Sequence, residues 1–170
     1  MINHLIQNHL KTTDIYITNN MNTKKQQLNP HGWKYIKLVA NNKNPAESWG
    51  GKKQLNKKYV YTDTTPKFKN WGVLTGKYNG FFILDIDSMK WAPDSCKAMK
   101  DNPNGTHPFI EAFGADYCKR FNTYTIRTRS GGGHLYFKYD PDMELKNNTC
   151  AYHQIDIRCN GGYGVGEGSW

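Results

Sequence analysis

Long apolar runs are missing from this 170-residue chain. No stretch approaches the roughly 20 residues that a helix needs to cross a bilayer, which argues against a helical membrane protein and predicts a soluble one. The opening MINHLIQNHLKTTD lacks the apolar core of a secretory signal. Cysteine is scarce and unpatterned: Cys96, Cys118, Cys150 and Cys159 form no CxxC pair. The spacing fits a reduced, intracellular compartment and leaves zinc binding with His107 or His153 as a minor alternative. Acidic residues are nearly missing from the first part. Residues 1–70 hold 12 Lys and 3 Asp or Glu, a net +9, whereas residues 71–170 hold 11 charges of each sign.

What is present follows from that asymmetry. A basic segment bearing Tyr and Trp beside a neutral one points to a polyanionic partner such as nucleic acid, the competing explanation being a simple Lys/Asn compositional bias. The length suits one globular domain. Residues 1–30 are Asn-, Thr-, Gln- and Lys-rich up to Pro30 and read as an N-terminal arm or weak helix, leaving 31–170 as the folded part. WKYIKLV alternates like a half-buried strand, and ANNKNPAESWGGKKQLNKK reads as a basic loop or short helix. YVY at 59–61 and WGVLTG at 71–76 read as short strands, and FFILDI at 81–86 as the clearest one. PFIEAFGADYCKRF, from Pro108, has the spacing of a helix with Pro at its start. TYTIRT, HLYFKY and HQIDIR supply three further strands. The order predicts an α+β sandwich with helices on one side of a mostly antiparallel sheet.

The chemistry concentrates at three places. In FFILDID, strand alternation sends Asp85 and Asp87 to one face and Leu84 and Ile86 to the other. Two carboxylates about 5 Å apart repel by about 1 kcal/mol in water and several times that when partly buried. A divalent cation relieves this, and oxygen donors suit magnesium or manganese. The plainer reading is a solvated strand end. In TIRTRSGGGHLYF, Arg127 and Arg129 share a strand face, three glycines turn the chain, and His134, Tyr136 and Lys138 share a face of the next strand. Bare amides beside guanidinium and imidazole groups suit a phosphate, though such a loop also serves as an ordinary hairpin. In HQIDIR, Ile155 and Ile157 face the core and Asp156 and Arg158 face away from it, as a third acidic position or a surface ion pair.

At these residues the chain resembles the Prim-Pol domain, the bifunctional primase/polymerase branch of the archaeo-eukaryotic primase superfamily. The resemblance rests on KNPAESW (43–49), NWGVLTGKYNGFFILDID (70–87), SGGGHLYF (130–137) and IDIRCNGGYGVGEGS (155–169), in that order. It implies an RNA-recognition-like sheet carrying the active site, with an N-terminal αβ portion that helps bind template. It implies that Asp85, Asp87 and Asp156 hold two catalytic Mg2+ or Mn2+ ions. It implies that His134, with Ser130, Gly132 and Arg129 nearby, contacts the triphosphate of the incoming nucleotide, Arg158 assisting or orienting Asp156. The implied activity is primer synthesis on single-stranded DNA from nucleoside triphosphates, within a viral or plasmid replication protein often joined to a helicase. Relatives usually continue beyond the third motif, so a closing strand or helix is expected past Trp170. The basic first 70 residues, with Trp33, Tyr35, Trp49, Tyr59 and Tyr61, are expected to follow template backbone and stack bases, or to serve in the core.

Two other enzyme classes place DxD after an apolar strand. A haloacid-dehalogenase-like phosphatase wants Thr or Val two residues after the second Asp, where Met89 stands, and a glycosyltransferase gives no reason for SGGGH followed by IDIR. The alternative from a different class is a non-catalytic single-strand-binding module.

Overall fold

A computed structural model of the chain describes residues 29, 31–50, 54–87, 123–129, 132–152 and 155–169. Among the described residues eight strands carry the architecture: β1 (Tyr35–Lys37), β2 (Trp71–Leu74), β3 (Phe81–Ile86), β4 (Thr125–Arg127), β5 (Gly133–Lys138), β6 (Asn148–Tyr152), β7 (Ile155–Arg158) and β8 (Tyr163–Val165). They form a three-stranded sheet ordered β1-β2-β8 and a five-stranded sheet ordered β4-β5-β3-β7-β6. The chain divides into two compact units, and it passes from one to the other inside β3 and inside β7. Among the described residues, helical structure is limited to the 3-10 turns Lys57–Tyr59 and Pro141–Met143. The helix expected from Pro108, and the arm expected over 1–30 apart from Asn29, lie outside the described residues. None of the described helices is long and apolar enough to cross a membrane.

The unit around the three-stranded sheet is covered on both faces. β1 and β2 pair antiparallel with Tyr35 opposite Val73, Ile36 opposite Gly72 and Lys37 opposite Trp71, and β2 pairs antiparallel with β8. Alternation then sorts the side chains. Ile36, Leu38 and Leu74 close around Trp49, with Leu55, Val60, Tyr78, Tyr163 and Val165 packed against them. Gly72 sits mid-strand because a Cβ there would press on Tyr163 and Leu38. On the other face Tyr35 and Trp71 meet edge to face at 5.3 Å. The stretch after β8 returns to Trp71: its indole N–H donates to the Glu167 carbonyl at 3.3 Å, and the Ser169 hydroxyl donates to the Trp71 carbonyl at 3.0 Å. Tyr35 and Trp49 are thus core residues, 0% and 7% exposed, so of the two roles expected for the aromatics these two take the one in the core and not base stacking.

Loops in this unit are held by asparagine amides. Asn29 accepts from the Trp33 N–H and donates to the Trp33 and Asp63 carbonyls. Asn70 donates to the Val39 and Asn42 carbonyls, and Asn79 accepts from the Lys34 N–H while donating to the carbonyls of Lys34 and Leu74. A short side chain carrying both a donor and an acceptor satisfies buried backbone groups where no strand lies alongside. The Asn content therefore has a structural use, where composition alone suggested bias.

The five-stranded sheet is built on β3, whose six residues are all buried. A central strand packed on both faces reads as an unbroken apolar run, and FFIL is one. Ile83, Leu84 and Ile86, Leu135 and Phe137, and Ile155 and Ile157 form the apolar interior of β3, β5 and β7. β4 pairs antiparallel with β5, and β6 with β7. The described residues are accordingly sheet-rich, with antiparallel pairing of β1 with β2, β2 with β8, β4 with β5 and β6 with β7, which is compatible with the expected α+β class, while the expected helical side falls outside them. Two strands went unread in the sequence, β6 and β8. YVY is not a strand either: Tyr59 closes a 3-10 turn and Tyr61 makes an isolated bridge to Tyr35.

Burial, the largest influence on Tyr35, pushes its hydroxyl from the ordinary 10.0 up to about 12. The neutral phenol is therefore favoured by folding. This contribution to stability is complete below pH 10 and is lost as the pH climbs from 10 towards about 12. Thermal unfolding followed across that window should show the melting temperature falling, and falling less steeply in Tyr35→Phe.

Candidate active site

The central position of β3 brings the sequence motifs to neighbouring strands. β5, carrying His134, flanks it on one side, and β7, carrying Asp156, flanks it on the other. Asp85 lies near the end of β3, and Asp87 follows directly after the strand's last residue, half-buried. Alternation along the strand carries Asp87 towards the face that Asp85 occupies. Asp85 and Asp156 are each only 9% exposed and His134 only 5%. A buried carboxylate is stable only with compensating partners, since desolvation otherwise costs several kcal/mol.

One such partner is direct. His134 Nε2 stands 3.2 Å from Asp85 Oδ1. With Nε2–H donating to the carboxylate, Nδ1 is an acceptor in the neutral ring and a second donor in the imidazolium. Nδ1 is buried and has no hydrogen-bond partner among the described residues. An orphaned buried ring nitrogen costs about 1–3 kcal/mol, and such groups gather at ligand-handling sites. The pair was not foreseen: the sequence assigned Asp85 to metal and His134 to phosphate, 49 positions apart, with no local signal joining them.

The hairpin before His134 is organised differently from expectation. β4 and β5 pair with Ile126 opposite His134 and Arg127 opposite Gly133. Residues paired across strands share a face, so Ile126 lies on the His134 side and Arg127, exposed, projects to the other. Arg127 is therefore removed from the imidazole-bearing face. The strand ends at Arg127, and Arg129 sits exposed in the turn. The Gly132 carbonyl accepts the Thr128 N–H at 3.0 Å, which closes the hairpin. Ser130 lies outside the described residues. Arg158 ends β7, half-buried, and falls in the other compact unit from Asp156.

Among the described residues, no three His, Cys, Asp or Glu side chains converge as a ready-made metal cage. The donor set nonetheless suits a hard divalent ion, because magnesium is commonly held by one or two carboxylates together with substrate phosphates and water. Asp85 and Asp156, buried on adjacent strands, and Asp87 at the strand's end are carboxylates of that kind. Cys159 is buried and free, and burial pushes its thiol above the ordinary value, the opposite of what zinc ligation or nucleophilic chemistry needs.

The central strand thus carries its carboxylates between a histidine-bearing strand and a second acidic strand. The family model described as "Bifunctional DNA primase/polymerase, N-terminal" matches residues 26–170, and the chain belongs to this Prim-Pol family. No curated protein and no solved structure matches it.

The Asp85–His134 contact makes a stability prediction. Removing the imidazole in His134→Ala leaves the carboxylate short of a charge-assisted hydrogen bond and should cost about 1.5–3 kcal/mol in urea unfolding at pH 7. Asp85→Asn, whose amide oxygen still accepts from Nε2, should cost less. Equal losses in the two variants would show that the contact contributes nothing specific.

Proposed function

We propose that this chain is the catalytic part of a DNA primase/polymerase, joining nucleotides on a single-stranded DNA template by attack of a 3′-hydroxyl on the α-phosphate of a nucleoside triphosphate. The observation that carries the proposal is the Asp85–His134 contact on a strand neighbouring that of Asp156, in a Prim-Pol chain. Asp85, Asp87 and Asp156 are the residues that would hold Mg2+ or Mn2+. Such ions lower the pKa of the attacking hydroxyl and stabilise the pyrophosphate leaving group.

The protein's own groups have separable tasks. The imidazole of His134 orients the Asp85 carboxylate through Nε2 and offers Nδ1 to a phosphate oxygen, where a positive ring would offset charge developing on the triphosphate. Burial of both groups lowers the local dielectric, so each charge–charge contact with substrate is stronger than it would be in water. Arg129, exposed in the turn, supplies a guanidinium fork for phosphate oxygens, and Ser130 and Gly132 complete the nucleotide side. The reaction needs no protein nucleophile. The partners are a single-stranded template, nucleoside triphosphates and a helicase domain or subunit that supplies the template.

A second reading, a non-catalytic single-strand-binding module, is favoured by the lack of a preassembled three-residue metal cluster among the described residues. Incorporation assays separate the two. Wild-type protein with manganese, a primed template and labelled nucleotide should extend the primer, and Asp85→Ala or Asp87→Ala should reduce extension by at least about 1,000-fold while circular dichroism stays native. Extension at wild-type level by either variant would refute the catalytic reading. Template binding without any extension would establish the module.

His134→Ala tests the nucleotide assignment. It should raise the KM for nucleotide about 10-fold or more, with template affinity within about twofold of wild type. Impaired template binding at an unchanged KM would reassign the histidine to the template.

A further inference from the structure

The unit built on the three-stranded sheet carries its own concentration of cations and rings. Tyr61, bridged to Tyr35 of the edge strand β1, packs edge to face on Phe68 at 4.9 Å. Both rings are half-buried. Lys37 places its ammonium 5.4 Å from the centre of the Phe68 ring, and Lys67 lies 5.9 Å from that of Tyr61. Lys69, exposed, follows Phe68 in the run Lys67-Phe68-Lys69.

The loop bearing these rings is held in place from beneath. The Tyr35 hydroxyl donates to Asp63 Oδ2 at 3.2 Å and accepts the Lys67 N–H at 3.1 Å. Asp63 Oδ1 lies 3.2 Å from the Lys67 ammonium. Burial alone would raise the Asp63 carboxyl, but the hydrogen bond and charge of Lys67, with the Tyr35 hydroxyl, hold it below the ordinary value. Asp63 offsets Lys67, and Lys37 beside the Phe68 ring adds a further positive charge to the patch. The loop is preorganised, and little ordering cost falls on whatever binds there.

We propose that Tyr61 and Phe68, with Lys37, Lys67 and Lys69, form a stacking platform for single-stranded DNA. Its identity as a template site rests on the polymerase reading above, whereas the platform itself rests on this cluster alone. Aromatic rings accept any base by stacking, and lysines beside them meet the phosphates between successive bases. An ammonium over an exposed ring is worth a few-fold in affinity, whereas stacking of one base on an aromatic side chain is worth about 5-fold to 100-fold. An arriving base therefore displaces the lysine from the ring, and the freed ammonium moves to the backbone. The charge complementarity is specific to this end of the chain, since residues 1–70 carry the whole net +9. A paired duplex keeps its base faces stacked internally and gives the rings nothing to grip.

The test is fluorescence anisotropy on the full chain with labelled oligothymidylate and with a duplex of equal length, at fixed salt. Tyr61→Leu and Phe68→Leu keep apolar bulk but remove the π-face. Each should weaken oligothymidylate binding about 10-fold and leave duplex binding within about twofold, with native melting temperature. Oligothymidylate affinities within about twofold of wild type in both variants would overturn the platform. Photocrosslinking of wild-type protein to 5-iododeoxyuridine-substituted strands covers the case in which a variant misfolds. Adducts on Tyr61 or Phe68 support the platform, and adducts solely elsewhere overturn it. Nucleotide incorporation by the wild type, measured separately, decides the polymerase reading independently of these outcomes.

Discussion

A carboxylate pushed into an apolar interior has to be compensated, and that requirement organises the five-stranded sheet. Asp85 is the last but one residue of a strand whose every residue is buried, so its charge draws on a partner from a neighbouring strand. His134 meets it from β5 at 3.2 Å. Placing β3 between β5 and β7 puts the imidazole on one neighbouring strand and a second buried carboxylate on the other. The apolar residues of the same three strands fill the interior, which leaves the charged set to share what remains. Structure and chemistry use one alternation, apolar residues for stability and the intervening ones for the site.

The other unit solves a different problem, that of holding long polar connections with little regular structure. Asn29, Asn70 and Asn79 act as substitutes for neighbouring strands by satisfying backbone groups on both sides. Tyr35 works similarly from inside the core, its buried ring packing on Trp71 while its hydroxyl ties down the loop carrying Lys67 and Phe68. The loop is tied to the core by these bonds without any helix.

Legibility in the sequence followed burial contrast. FFILDI at 81–86 was readable to the residue, and IDIR and HLYFK nearly so, since a central strand imposes a long apolar run or a clean alternation. NTCAY and YGV carry neither signal: β6 is an edge strand whose Asn148 and Thr149 are exposed, and β8 is three residues with a glycine at its centre. The aromatics were hardest to sort. Trp49 and Tyr35 were grouped with Tyr61 as base-stacking candidates, yet the first two are buried and Phe68, which no pattern singled out, stands beside the third. The short run Lys67-Phe68-Lys69, a ring between two lysines in a loop, was the signal available.

The sequence by itself determined the family, the acidic strand end and the positions of the charged motifs, because these depend on residue type and on a period of two that any strand obeys. Tertiary structure alone decided which motifs touch. The register of β4 on β5 placed Ile126 beside His134 and turned Arg127 to the opposite face, and strand order placed the His134 and Asp156 strands on either side of Asp85. Pairing and order are set by the packing of side chains far apart in the chain, so no local stretch encodes them.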